Sequence, residues 1–593
     1  MNPPPAAAPE PLVVLHDAAA GRWLRFQAPV EIIAATRLDE VRPALRQIEE
    51  AVERRGLHAA GWIAYEAAPA FDPALHTRAP GPLPLLWFGL FPPPETIELP
   101  PAAAAARPEE TWQPELGPAA YRAAFDRVKQ HIRAGDTYQV NLSFRLRCAA
   151  FAREPWAAFL ALVAAQRPAY GAYVAAGPWR IGSASPELFF RRAGDRLESR
   201  PMKGTAPRAP AAAEDRARAA ALTASDKNRA ENLMIVDMVR NDLGRVARPG
   251  SVRTRRLCEL EKYPTVWQLT SAVAAESDAP TADIFSALFP PASITGAPKP
   301  RTMEIIAGLE ASPRQVYTGA IGFLAPGRRA QFSVAIRTLL VDTRTAQAEY
   351  GTGGGIVWDS AGAAEWAECA AKAAILAAPP RPDFQLLETM LWTPAGGLHL
   401  LERHLARLRE SAEYFDHPCD EARLRAELAA FVKTLPAAAR RLRLLLDAAG
   451  RAELESAPLP PSAASFRVAL ARRPVDRAEV CLYHKTTRRR VYEEAKADFP
   501  DHDDVILWND AGEATETTIA NLVVEIDGAL CTPPVECGLL PGTARADLLS
   551  RGELRERRIP LADLRAAPRL FLLNSVRGLV PAILGPAPDS TVL

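Results

Sequence analysis

The chain has 593 residues, more than the ~250–300 at which one hydrophobic core stops growing, so two or more domains are expected. Hydrophobic residues make up 48% and charged residues 24%, as in an ordinary globular protein, and the net charge of +1 gives no bulk attraction to nucleic acid or anionic membrane. The first ten residues lack a secretory-signal pattern, no uninterrupted apolar run reaches the ~20 residues of a membrane span, and the seven cysteines and nine histidines form no Cys-x-x-Cys or His-x-x-x-His pair, so a cytoplasmic protein with reduced thiols and no zinc site is expected.

In chain order, residues 92–118 form a Pro/Ala tract that reads as a surface excursion, and apolar spacing predicts a helix over 119–134. Strand-like runs follow at 172–176, 180–183 and 188–191, then helices at 230–243 and 302–309, a strand over 331–341 and an Ala-rich helix over 361–378. Three prolines within 376–383 mark a linker. Beyond it come a buried-strand pattern over 384–392, a helix over 400–415 and a strand over 522–526. The predicted division is 1–378, a linker at 379–383, and 384–593, with α/β or α+β layering in both parts.

Several segments of the first part are polar and glycine-rich where a core element would be apolar. They are Ser185-Pro-Glu-Leu-Phe-Phe, Arg200-Pro-Met-Lys-Gly-Thr-Ala-Pro-Arg208, the helix around Glu231, Ser293-Ile-Thr-Gly-Ala-Pro-Lys299, Ala335-Ile-Arg-Thr338, Gly351-Thr-Gly-Gly-Gly355 and Glu365-Trp-Ala-Glu-Cys-Ala-Ala-Lys372. Glu365, Glu368 and Lys372 share one helix face, and with Glu231 could offer carboxylate oxygens to Mg2+. Arg337 offers a planar fork for a carboxylate, and Gly353-Gly-Gly355 permits close backbone approach to an anion. Alone, each pattern is a solvated helix face or a turn; their co-occurrence points to a site that grips a small polyanion.

Together these segments, from about Gly61 to Ala374, resemble the chorismate-utilising enzymes: anthranilate, aminodeoxychorismate, isochorismate and salicylate synthases. The resemblance implies two opposed sheets flanked by helices, with chorismate and Mg2+ in a cleft. It implies Glu231 and Glu368 as Mg2+ ligands with Glu365 close by. Arg337, Tyr317 and the backbone of Gly353 and Gly354 would hold substrate carboxylates, and Ser293, Thr295 and Lys299 would line the pocket. Members that add water to the ring carry a basic Lys where this chain has Gln139. Anthranilate synthases typically carry Ala at Lys203, whereas a Lys there resembles the covalent nucleophile of aminodeoxychorismate synthases. A purely carboxylate-binding Lys203 is the alternative. Glu187 is placed by analogy as the general acid/base. Gln268 stands where many relatives have His, which fits a half that stops at aminodeoxychorismate.

The second part carries Leu386-Leu-Glu-Thr-Met390, His404-Leu-Ala-Arg407, His484-Lys-Thr-Thr-Arg488, Glu513-Ala-Thr-Glu516, Gly538-Leu-Leu-Pro-Gly-Thr543 and Leu573-Asn-Ser-Val-Arg577. A pyridoxal phosphate site needs a lysine, a carboxylate for the pyridinium nitrogen, and arginine with backbone N–H groups for the phosphate, and one candidate for each is present. The pattern resembles the fold-type IV pyridoxal phosphate enzymes, which include aminotransferases and aminodeoxychorismate lyase. By resemblance Lys485 anchors the cofactor and Glu516 faces the pyridinium nitrogen, while Arg407, Thr543, Ser575 and Val576 hold the phosphate. Thr389 sits where lyases can place a catalytic hydroxyl.

The two halves together imply amination of chorismate to 4-amino-4-deoxychorismate, then elimination of pyruvate to 4-aminobenzoate. Alternatives are a true class IV aminotransferase in the second half, an anthranilate synthase-like first half, or a non-catalytic second half. None of the cysteines sits in a Gly-x-Cys-x-Gly elbow, so a separate glutamine amidotransferase is expected to supply ammonia. The fold-type IV resemblance also allows a homodimer through the second part.

Overall fold

The computed structural model describes residues 11–102, 110–376, 384–459 and 464–585. The expected linker at 379–383 and residues 103–109 of the Pro/Ala tract lie outside the described residues. The chain divides into two units, 1–207 with 221–381, and 208–220 with 382–593. Among the described residues no helix is long and apolar enough to cross a membrane.

The first unit stacks two ten-stranded sheets, counted among the described residues. Between them lies an apolar layer with Val13, Leu24 and Phe26 from one sheet and Trp62, Ile321 and Phe323 from the other. The strand Gln139–Cys148 pairs antiparallel with Gln347–Ile356, which pairs in turn with Thr338–Asp342. The second sheet carries Leu188–Ala193, Met202–Pro207 and Val266–Glu276. Its outer face is covered by helices whose apolar positions recur at helical spacing, such as Val41, Leu45, Ile48 and Val52 on Leu38–Arg55. Asp226–Gly244 covers the same face through Ile235, Val236, Val239 and Leu243, and its first turn is capped by the Ser225 side chain, which accepts from the Asn228 amide.

The run 331–341 is two strands, not one. Arg329–Val334 belongs to the second sheet and Thr338–Asp342 to the first, and the chain crosses between them at Arg337, whose φ of 52° turns the backbone. Apolar character continues through the turn because both strands are buried, which is why the sequence pattern does not show the break.

Among the described residues the second unit has a four-stranded antiparallel sheet, with Leu386–Thr393 beside Arg440–Leu446, packed on the helices Leu401–Phe415 and Glu421–Val432. Its eight-stranded sheet curls until Glu516 pairs with Asn521, joining Ala514–Thr517 to Asn521–Ile526. Lys485 lies where the two meet: its carbonyl accepts from the Leu387 amide, and Thr486 bridges to Leu386. A division near residue 380 does not anticipate residues 208–220. Pro210 accepts from His484 Nε2 at 3.1 Å, Arg208 lies 4.3 Å from the centre of the Tyr414 ring, and Ala211 and Ala212 pack into apolar clusters of the second unit. Mixed helix and strand in both units gives the expected α/β and α+β multidomain class.

Candidate active sites

In the first unit the strand Gln347–Ile356 organises the site. Its pairing with Thr338–Asp342 ends at Tyr350, while its other edge stays paired as far as Ile356. Beyond Tyr350 one edge therefore lacks a strand neighbour, and the glycines beside it make room for side chains from elsewhere. A Cβ at Gly351 would meet the Tyr317 ring at 2.2 Å, one at Gly354 would meet Glu365 Oε2 at 2.7 Å, and one at Gly355 would meet Lys203 Nζ at 2.1 Å. The absence of side chains along the glycine run admits the lysine and a carboxylate.

Lys203 is half-buried, and the nearest carboxylate oxygen, on Glu231, stands 3.9 Å away. Burial lowers its pKa, against the pull of Glu231, Glu368 and Glu365. Asn232 donates to the Lys203 carbonyl at 3.1 Å, and Gln268 donates to the Gly204 carbonyl at 2.8 Å and accepts from Thr205. Gln268 thus clamps the lysine's strand. Buried Gln139 makes no side-chain hydrogen bond among the described residues and adjoins the space that Gly355 leaves open.

Glu187 is fully buried, which pushes its pKa up to about 7. It lines a cavity of about 20 Å³ with Ser293 and Asp242. Lys299 is tied to Asp242 at 2.9 Å, and Thr295 spends its hydroxyl on the Pro291 and Ala292 carbonyls. Neither Thr295 nor Lys299 lines that cavity; each is held by a residue that does. Arg337 is half-buried, with Gln166 as its side-chain acceptor and no acidic partner among the described residues; desolvation lowers its pKa, and the guanidinium is suited to a bound carboxylate.

Glu365 accepts from Ser360 at 2.7 Å, and Glu368 is paired with Lys372 at 2.7 Å. Among the described residues no three such side chains close into a metal cage. The donor set still fits Mg2+, which binds through one or two carboxylates and takes its other ligands from substrate and water.

In the second unit a cavity of about 330 Å³ is lined by Lys485, Glu516, Arg407, Thr389, Thr543, Ser575 and Val576, so the sequence-derived residues converge. Burial, then the nearby Arg407, brings Lys485 down to about 8, and burial raises Glu516 to about 8. Glu516 accepts from Tyr492 Oη at 2.8 Å, the Leu540 amide at 3.2 Å and Asn521 Nδ2 at 3.3 Å. Gly542 caps the helix Thr543–Ser550 at the cavity wall; a Cβ there would meet Asn521 Oδ1 at 1.8 Å. A helix N-terminus with Thr543, Ser575 and Arg407 suits a phosphate, and Glu516 suits a protonated ring nitrogen, so the residues fit pyridoxal phosphate.

Sequence reasoning missed Glu388, which pairs with Arg407 and with His404 Nδ1, each at 2.6 Å. Although burial opposes it, Arg407 and His404 hold the Glu388 carboxyl down at about 2. The signal was available: an acid inside the apolar run Leu386-Leu-Glu-Thr-Met390 needs a buried cation. Tyr492 and Asn521, the partners of Glu516, carry no such mark.

Residues 10–378 match the family described as chorismate binding enzyme. The chain belongs to that family. Residues 385–583 match amino-transferase class IV. Aminodeoxychorismate synthase component 1 of Escherichia coli is 41% identical over 259 residues, covering 43% of this chain and 56% of that protein. Anthranilate synthase component 1 of Streptomyces coelicolor is 40% identical over 274 residues, covering 45% of this chain and 53% of that protein. The chorismate-binding chain thus spans about half the length of the curated relatives it matches. Anthranilate synthase component I of Streptococcus pneumoniae shares the fold, with a TM-score of 0.50 and 23% identity over 62% of this chain and 90% of that one.

Proposed function

We propose that the chain makes 4-aminobenzoate from chorismate and ammonia in two steps, amination in the first unit and elimination of pyruvate in the second. The observation that carries this reading is one desolvated lysine per unit: Lys203, lodged over Gly355 beside the carboxylates, and Lys485, in a cavity with Glu516. Overall identity to synthases of either product is close to 40%, so the choice between them rests on Lys203.

In the first step Arg337 holds a substrate carboxylate. The Lys203 amine attacks ring carbon 2, the double bonds shift, and the carbon 4 hydroxyl leaves with a proton from Glu187. Ammonia then bonds to carbon 4 as the double bonds shift back and Lys203 leaves carbon 2. Mg2+ held by Glu231 and Glu368, with Glu365 beside them, would supply positive charge for the substrate's carboxylate. The names of relatives called component 1 support a separate partner, read here as a glutamine amidotransferase supplying the ammonia.

In the second step Lys485 takes the proton from carbon 4, and the carbon 3–oxygen bond breaks, releasing pyruvate and an aromatic ring. Pyridoxal phosphate, held by Lys485, Glu516, Arg407, Thr543, Ser575 and Val576, would supply the electron sink for carbon 4. Thr389 also lines this cavity, and its hydroxyl would serve the departing group.

The test is incubation of the full chain with chorismate, ammonium, Mg2+ and pyridoxal phosphate, followed by chromatography of the products. The expected outcome is 4-aminobenzoate with equimolar pyruvate. Lys485→Ala should stop at 4-amino-4-deoxychorismate, and Lys203→Ala should lose at least about a hundredfold in the first step. Anthranilate, or full ammonia-dependent activity in Lys203→Ala, would refute the role of Lys203. Aminodeoxychorismate alone from the unaltered chain would point to an aminotransferase.

A further inference from the structure

The cavity of the second unit carries more positive charge than a phosphate uses. Six cationic side chains line it, Arg407, Arg441, Arg443, Lys485, Arg489 and Arg577, against one carboxylate, Glu516. Glu388 neutralises Arg407, and Glu455 pairs with Arg443 at 2.9 Å. Arg441, Arg489 and Arg577 have no acidic partner among the described residues. Arg489 donates to the Thr518 carbonyl and lies 4.7 Å from the centre of the Tyr492 ring, and Arg577 lies 5.6 Å from that of Phe466. A phosphate brings at most about two negative charges.

Strand register places this surplus. Thr389 stands opposite Arg443 and Leu391 opposite Arg441. Paired residues share a face, so Arg441 projects from the face that carries Thr389. Arg577 follows Ser575 and Val576, and its amide donates to the Asn574 side chain, so the turn that offers Ser575 to the cavity also fixes where Arg577 starts.

We propose that Arg441 and Arg577, with Arg489 deeper in the cavity, form a recognition site for a substrate carrying two carboxylates. This rests on the reading of the cavity as the pyruvate-eliminating site and names what selects its substrate. 4-Amino-4-deoxychorismate bears one carboxylate on the ring and one on the enolpyruvyl arm. An amino acid with a neutral side chain brings one carboxylate and gains from only part of the set. Planar guanidinium forks suit carboxylates, and because Arg441 is exposed its share is modest.

The test uses the full chain loaded with pyridoxal phosphate and titrated with isophthalate or benzoate, neither of which carries an amine. The cofactor's visible absorbance reports binding in this unit alone. Isophthalate should bind at least about tenfold more tightly than benzoate. That margin should shrink to within about threefold in Arg441→Gln with Arg577→Gln, and return when both are Lys. Equal affinities in the unaltered chain, or an undiminished margin in the double variant, would overturn the proposal; if the double variant unfolds, the single variants carry the same comparison. The probes need no turnover. A chain that makes no 4-aminobenzoate yet keeps the margin loses the reaction but retains the dicarboxylate site, and a chain that does not bind the cofactor loses both.

Discussion

In the first unit the half-buried lysine is surrounded by carboxylates. Glu231, Glu368 and Glu365 pull the Lys203 pKa upward against its desolvation. In the second unit burial and Arg407 act together on Lys485, and the balancing carboxylates, Glu388 and Glu516, respond oppositely, one held at about 2 and the other raised to about 8. The difference teaches that desolvation alone does not poise a lysine. Engaging the carboxylates around Lys203 would remove the pull that opposes its desolvation, whereas the shift of Lys485 comes from its fixed surroundings.

The strongest way to break this comparison is Glu388→Gln. It leaves Arg407 buried without its counter-charge, and denaturant unfolding should show a loss of about 3–5 kcal/mol in the second unit. An unchanged midpoint would mean that the Glu388 pair does not underpin the cavity.

Gly355→Ala sharpens the other side. Its Cβ would fall 2.1 Å from Lys203 Nζ, so the lysine must move. Chorismate amination should drop about tenfold to a hundredfold, while elimination from added aminodeoxychorismate is unaffected. A chain that aminates normally would show that the lysine's position over this strand is not needed.

The gentlest effect is a slope with pH. Glu516, Glu187 and Glu66 are raised by burial, to about 8, 7 and 7. Each stays protonated in the folded chain where the unfolded chain has released its proton. Their contribution to stability is full below the ordinary carboxylate pKa of about 4.3 and is lost as pH rises through 7 to 8. Thermal unfolding should therefore show stability falling across this window, and Glu516→Gln should flatten the slope by up to about 1.4 kcal/mol per pH unit. An equal slope in that variant would remove Glu516 from the titration.

The candidate site residues were legible because they are chemically conspicuous where a core would be apolar. Lys203 in Pro-x-Lys-Gly-Thr, Lys485, Glu516 and Arg407 all stand out this way, and the last three do share one cavity. Helices such as Asp226–Gly244 and Leu401–Phe415 were legible from apolar spacing. The crossing at Arg337 was not, because it is a matter of φ inside a buried run. Nor was the pairing of Lys299 with Asp242, which depends on residues 57 positions apart. The glycine run was visible, but which side chains it admits depends on elements distant in sequence, Lys203 and Tyr317 among them.

Residues 208–220 follow the strand that bears Lys203 and belong to the other unit, where Pro210 accepts from the histidine next to Lys485. A gene cut in the proline-rich stretch near residue 380 would therefore not yield two whole proteins. The downstream piece would lack residues that pack against its own apolar clusters, and the upstream piece would carry them without those partners. No single scission near residue 380 separates the two units.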